Sequence, residues 1–107
     1  MPVNIGPVSP SGRFIKSGVI TVTAAGTPHR FTTGDVACSS VLVSADIGNT
    51  EGPMVVGDSN VVASSGAQRG VIVIPGNDPV SIAVGNLSAL WVDAMTNGDK
   101  LCYIVIG

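Results

Sequence analysis

From Gly18 onward the chain is cut into short apolar runs, each closed by residues that turn the backbone. The runs lie at 18–24, 29–33, 40–45, 53–57, 60–63, 70–74, 79–84, 88–94 and 100–106. Between them stand AAGTP, TTGD, DIGNTEG, GDS, SSGAQ, PGND, GN and TNGD. Gly supplies positive φ, Pro presets φ, and Asn, Asp and Ser bond their own backbone, so each cluster ends a run for a physical reason. Strands at this spacing predict a sandwich or barrel, and no segment is long and periodic enough for a helix of three turns. Composition agrees: valine and isoleucine together number 26 and leucine 4, a bias toward stiff β-branched side chains that pack on a pleated surface.

Two kinds of run differ in what they need as cover. Ile20, Val22 and Ala24 alternate with Val19, Thr21 and Thr23, and Val80, Ile82 and Val84 alternate with Ser81, Ala83 and Gly85, the period of two of a strand with one buried face. Val71–Ile74 and Leu101–Ile106 are apolar at nearly every position, the pattern of strands covered on both faces. A two-layer sandwich cannot cover its own outer faces, so an oligomer interface is the simplest source. Asn97-Gly98 is a strong hairpin signal because both residues tolerate positive φ, and it predicts that the last two strands pair antiparallel.

Charged residues make up 11% of the 107, against about 25% in an average globular domain. A surface so poor in charge is expected to be covered in part by other protein. The net charge of −2, with five cations scattered along the chain, offers no basic stripe for nucleic acid. No run approaches the length of a membrane helix, and residues 1–17 lack the apolar core of a signal peptide, so the reading is a cytoplasmically made chain with no membrane partner. Residues 1–17 hold Pro2, Pro7 and Pro10 and read as an extended N-terminal arm, with Phe14 as an apolar anchor between Arg13 and Lys16; residues 18–107 form one domain. Cys38 and Cys102 have no CxxC pairing; a disulfide stays open, but their apolar and small neighbours favour free thiols.

Candidate chemistry fails on context. Ser59 in GDSN resembles the first block of the GDS-type serine hydrolases over about three residues, but those place it in an α/β domain with a late Asp-x-x-His, and here the one histidine, His29, precedes it. Gly57-Asp58-Ser59 reads better as a turn closed by the Asp58 carboxylate. His29 has no carboxylate at i+2 or i+4 to share a metal. Asp46, Glu51 and Asp58 do not match a calcium loop, and nothing selects Asp93 and Asp99 as a glycosidase pair. Trp91 and Asp93 fall on one face of their strand, with core or interface packing the favoured role for Trp91. No cofactor and no catalytic residue is expected.

The succession SVLVSAD, PMVVGDSNVVASSG and GVIVIPGNDPVSIAVGNLSALWVDAMTNGDKLCYIVIG, over residues 40–107, resembles small β-domain virion structural proteins of tailed bacteriophages. The order of turns carries the likeness: VGDSNV, then the PGNDPVSI step, then an NL-x-x-L-x-V-x-A-x-x-NGD hairpin. It implies a head-decoration (cement) protein or a small tail or fibre module. A cement protein needs an apolar, low-charge contact face and a reaching arm, and this chain has candidates for both; a carbohydrate-binding host-adhesion module would need an exposed aromatic or carboxylate cluster. The resulting expectation is an all-β antiparallel sandwich, jelly-roll-like, of about eight strands. It would act as a homotrimeric, non-enzymatic capsid decoration protein on the virion surface, bound to the major capsid protein. Expected assembly contacts are Arg13, Phe14 and Lys16 in the arm and Cys102, Ile104 and Ile106 on the last strand.

Overall fold

A computed structural model describes residues 15–49, 53–64 and 69–107. Its strands are β1 (Ile15–Val22), β2 (His29–Arg30), β3 (Ser40–Ala45), β4 (Met54–Gly57), β5 (Val71–Val73), β6 (Val80–Ile82), β7 (Trp91–Ala94) and β8 (Asp99–Ile106), with one 3₁₀ turn at Leu87–Ala89. They form two four-stranded antiparallel sheets, sheet A in the order β1-β8-β3-β6 and sheet B in the order β2-β7-β4-β5. The pairings β1 with β8, β2 with β7, β3 with β6 and β4 with β5 are nested, as in one long hairpin bent back at its middle. Rolling that hairpin brings β3 beside β8 and β4 beside β7, which closes the two sheets into a jelly roll.

The alternation visible in the sequence sorts side chains between faces. Val41, Val43 and Ala45 of β3 and Leu101 and Val105 of β8 turn inward with Val22; Met54, Val56, Val73, Val92 and Ala94 meet them from sheet B. Phe31, Leu87 and Leu90 close the ends of this core, and Tyr103 packs tilted against Phe31 with ring centroids 5.5 Å apart. Gly18 is a place where a missing side chain matters: a Cβ there would run into the Tyr103 ring, which lies across the glycine opposite it in β8.

Several expected elements take a different form. Residues 15–17, read as the end of the arm, open β1 and pair with Ile106, Val105 and Ile104; residues 1–14, with Arg13 and Phe14, lie outside the described residues. The run 60–63 is no strand but an irregular segment with a single bridge, Val62 to Arg69. The last two strands do not pair with each other, because β7 belongs to sheet B and β8 to sheet A. The turn at Asn97-Gly98 does reverse the chain, with Gly98 at φ +90° and the Asp99 N–H donating to the Thr96 carbonyl (3.3 Å). Its other polar groups are taken by the first strand and the loop after it: the Gly98 N–H donates to the Val22 carbonyl (2.8 Å) and Asn97 Oδ1 accepts from the Ala25 N–H (2.7 Å). These bonds deliver β8 to β1, so a hairpin signal becomes a crossing between layers.

Candidate functional site

The two sheets end up with opposite outer faces. On sheet B, Val55, Trp91 and Asp93 point away from the main core, and the segment 58–64 folds back over them. It starts in the GDSN turn: the Asn60 N–H donates to Asp58 Oδ1 (2.9 Å) and the Val61 N–H to the Asp58 carbonyl (3.0 Å). That is the side-chain-closed turn expected from the sequence. Val61 and Ala63 then land on Val55 and Trp91 as a second, small core. The Arg30 guanidinium lies 5.7 Å from the centre of the Trp91 ring, while its Nε donates to the Ser88 carbonyl (3.1 Å).

Asp93 holds this cover in place. It is 1% exposed, with Oδ2 accepting from the Ala63 N–H (3.0 Å) and Oδ1 from the Gly26 N–H (2.9 Å). A buried carboxylate with both oxygens bonded to backbone amides ties the 58–64 segment and the β1–β2 link to sheet B. Asp99, its partner in the glycosidase comparison, is buried at the start of β8 in the other sheet.

Ser59 is exposed in its turn. His29 is spent on the β1–β2 link: Nδ1 donates to the Thr27 carbonyl (2.6 Å), and in the neutral ring Nε2 accepts from the Thr23 hydroxyl (3.3 Å). Among the described residues no group of three or more His, Cys, Asp or Glu side chains gathers to hold a metal, and Glu51 lies outside them. Cys38 and Cys102 are both free thiols. Cys38 Sγ donates to the Val84 carbonyl (3.1 Å), and burial pushes its thiol up from the ordinary 9.0.

Sheet A has no such cover among the described residues. Its outer face carries three cross-strand rows: Ile15, Ile106 and Ser40; Ser17, Ile104, Leu42 and Ser81; Val19, Cys102 and Ser44. Ile15 is 70% exposed, Val19 59% and Ile104 38%. No charged side chain stands in these rows, and Lys100, opposite Thr21, marks their end. The expected contacts Cys102, Ile104 and Ile106 thus fall on one surface, one in each row. Lys16 is exposed on the edge strand β1 but belongs to the opposite set, paired with the inward Val105.

A second apolar patch lies at the far edge of sheet B. Val71, Ile72 and Ile74 are 42–47% exposed, and only Val73 of the 71–74 run is buried. An open groove of about 420 Å³ runs between this edge and β6, lined by Ile72, Val73, Ile74, Gly76, Asn77, Asp78 and Val80.

Comparison of the chain with family models, with curated proteins and with solved structures finds no significant match.

Proposed function

We propose that this chain is a non-enzymatic structural protein of a bacteriophage particle, a capsid decoration protein that binds across the seams between capsid subunits. The observation that carries this reading is the exterior: large apolar side chains stand in water in two patches of a chain in which only 11% of residues are charged. Isolated exposed hydrophobics are ordinary, but contiguous ones on a charge-poor surface mark contact with other protein. The likeness of residues 40–107 to phage virion proteins supplies the kind of partner, and the His29 ring is bonded to Thr27 and Thr23.

The action is mechanical. A protein that binds the assembled lattice and not its separated subunits stabilises the lattice by mass action, more so the higher its concentration over its dissociation constant. Adding purified protein to capsids that lack it tests the reading. The expected result is saturable binding, added density over subunit seams and a higher capsid melting temperature. Absence of binding, with the protein found on tails of intact particles, would replace the reading with the tail-module alternative.

A further inference from the structure

We propose that Asn97-Gly98 is a site of spontaneous deamidation that the fold holds shut, so that the reaction follows only the opening of β8 from β1. Asn97 is the one asparagine of the chain followed by glycine, and glycine places no Cβ beside the amide nitrogen that must attack. In the reaction that nitrogen, its proton lost to hydroxide, bonds to Asn97 Cγ. Ammonia leaves with a proton from water, which regenerates the hydroxide, and a five-membered succinimide closes. Water then opens one or other carbonyl of the ring, giving aspartate or isoaspartate at 97. Both residues are exposed, so hydroxide and water reach them.

Two hydrogen bonds keep the reacting atoms apart. The Gly98 N–H donates to the Val22 carbonyl (2.8 Å), so its proton is held and points at the first strand, away from the side chain before it. Asn97 Oδ1 accepts from the Ala25 N–H (2.7 Å), which holds Cγ toward the β1–β2 link. An N–H on Oδ1 also polarises Cγ, and a donor where charge develops on an oxygen contributes about 10²–10³ in rate. Near-contact geometry contributes about 10⁵ or more to an intramolecular attack, so its loss outweighs the polarisation. Neither bond is local to the turn: Ala25 stands 72 residues before Asn97, and Val22, opposite Asp99, is fully buried. Breaking them takes the start of β8 off β1. Isoaspartate then makes the change permanent, because the backbone runs through the former side chain, one methylene longer, and Gly98 no longer meets Val22 in register.

Peptide mapping by mass spectrometry at mildly alkaline pH tests this, with the folded chain and the chain in concentrated urea incubated side by side. In the folded chain Asn97 should deamidate at least about tenfold more slowly than in urea, the ratio reporting how seldom the β1–β8 end opens. Ala25→Pro, which removes the N–H that holds the side chain, should raise the folded rate; if that variant fails to fold, the wild-type comparison stands by itself. Asn97→Asp keeps an acceptor for the Ala25 N–H and should have a urea midpoint close to that of the wild type. The isoaspartate product, separated and refolded, should have a clearly lower one. None of these measurements involves capsid binding, so the decoration reading stands or falls apart from them. Equal rates in the folded and unfolded chain, a faster reaction in the folded chain, a folded Ala25→Pro with the wild-type rate, or an isoaspartate product as stable as the wild type would each overturn the proposal.

Discussion

Asp93 is buried and bonded through both of its oxygens, and its role is architectural. Removing it takes the carboxylate acceptor from the buried Ala63 N–H and from the Gly26 N–H, which water can reach, and a hydrogen bond to a charged group contributes about 1.5–3 kcal/mol. Asp93→Ala should therefore lower stability by about 2 kcal/mol, read from urea midpoints. Gly18 makes a different demand, for space beneath the Tyr103 ring. Gly18→Ala should cost about 1–3 kcal/mol by overpacking, and a double-mutant cycle with Tyr103→Ala should show that cost vanish once the ring is gone. Cys38 makes a pH-dependent one. Its thiol is raised in the native state by desolvation, so on alkalinisation the unfolded chain gives up this proton first. Its contribution is intact below the ordinary thiol range and is lost as pH climbs from there through the raised native value. Alkylation of Cys38 should lag that of a small thiol until pH exceeds the ordinary 9.0, and the wild type should lose stability above that pH faster than Cys38→Ser.

Among the elements, the segment 58–64 changes the meaning of its neighbours. β4 is buried at Met54, Val55 and Val56, on both faces, without any second chain, because Val61 and Ala63 cover its outer side. Val61→Ala should open that small core at a cost of about 2 kcal/mol, with Trp91 fluorescence shifted to the red as water reaches the ring. β8 is apolar for a different reason: it is central in sheet A, with β1 and β3 as neighbours, and its outward residues face no described part of the chain. The outer side of β4 is thus covered from within the chain, and that of β8 by none of the described residues.

Across the whole molecule, the nested pairing joins the first described strand to the last, Ile15 to Ile106. Nothing in sheet A is complete until β8, its central strand, arrives between β1 and β3. Long-range pairing of this kind must meet its loop-closure entropy before contacts reward it, so folding should fall in the millisecond-to-second range of β-sandwiches, about a thousandfold slower than helical bundles of this size. Stopped-flow refolding followed by Trp91 emission measures it; a microsecond phase carrying the full amplitude would contradict the argument.

Most strands and their facing were legible in the residues, because β-branched alternation and turn chemistry act over two to four neighbours, but the run 60–63 forms no strand and Val71–Ile74, read as covered on both faces, leaves Val71, Ile72 and Ile74 exposed. Ile20 and Val22, Val80 and Ile82 each face as their alternation predicts, and Asp58 closes its turn as the GDSN stretch predicts. The path between layers was not. Asn97-Gly98 reads as a hairpin in isolation, yet Val22 and Ala25, more than seventy residues earlier, take its polar groups and send β8 to the other sheet. The cover over Trp91 was equally hidden, since its cause is a carboxylate on β7 bonding the amide of Ala63 thirty residues before it. Local preference sets which face of a strand is apolar; only the closed fold, where distant donors and acceptors must all be satisfied at once, decides which of those faces another described segment of the chain covers.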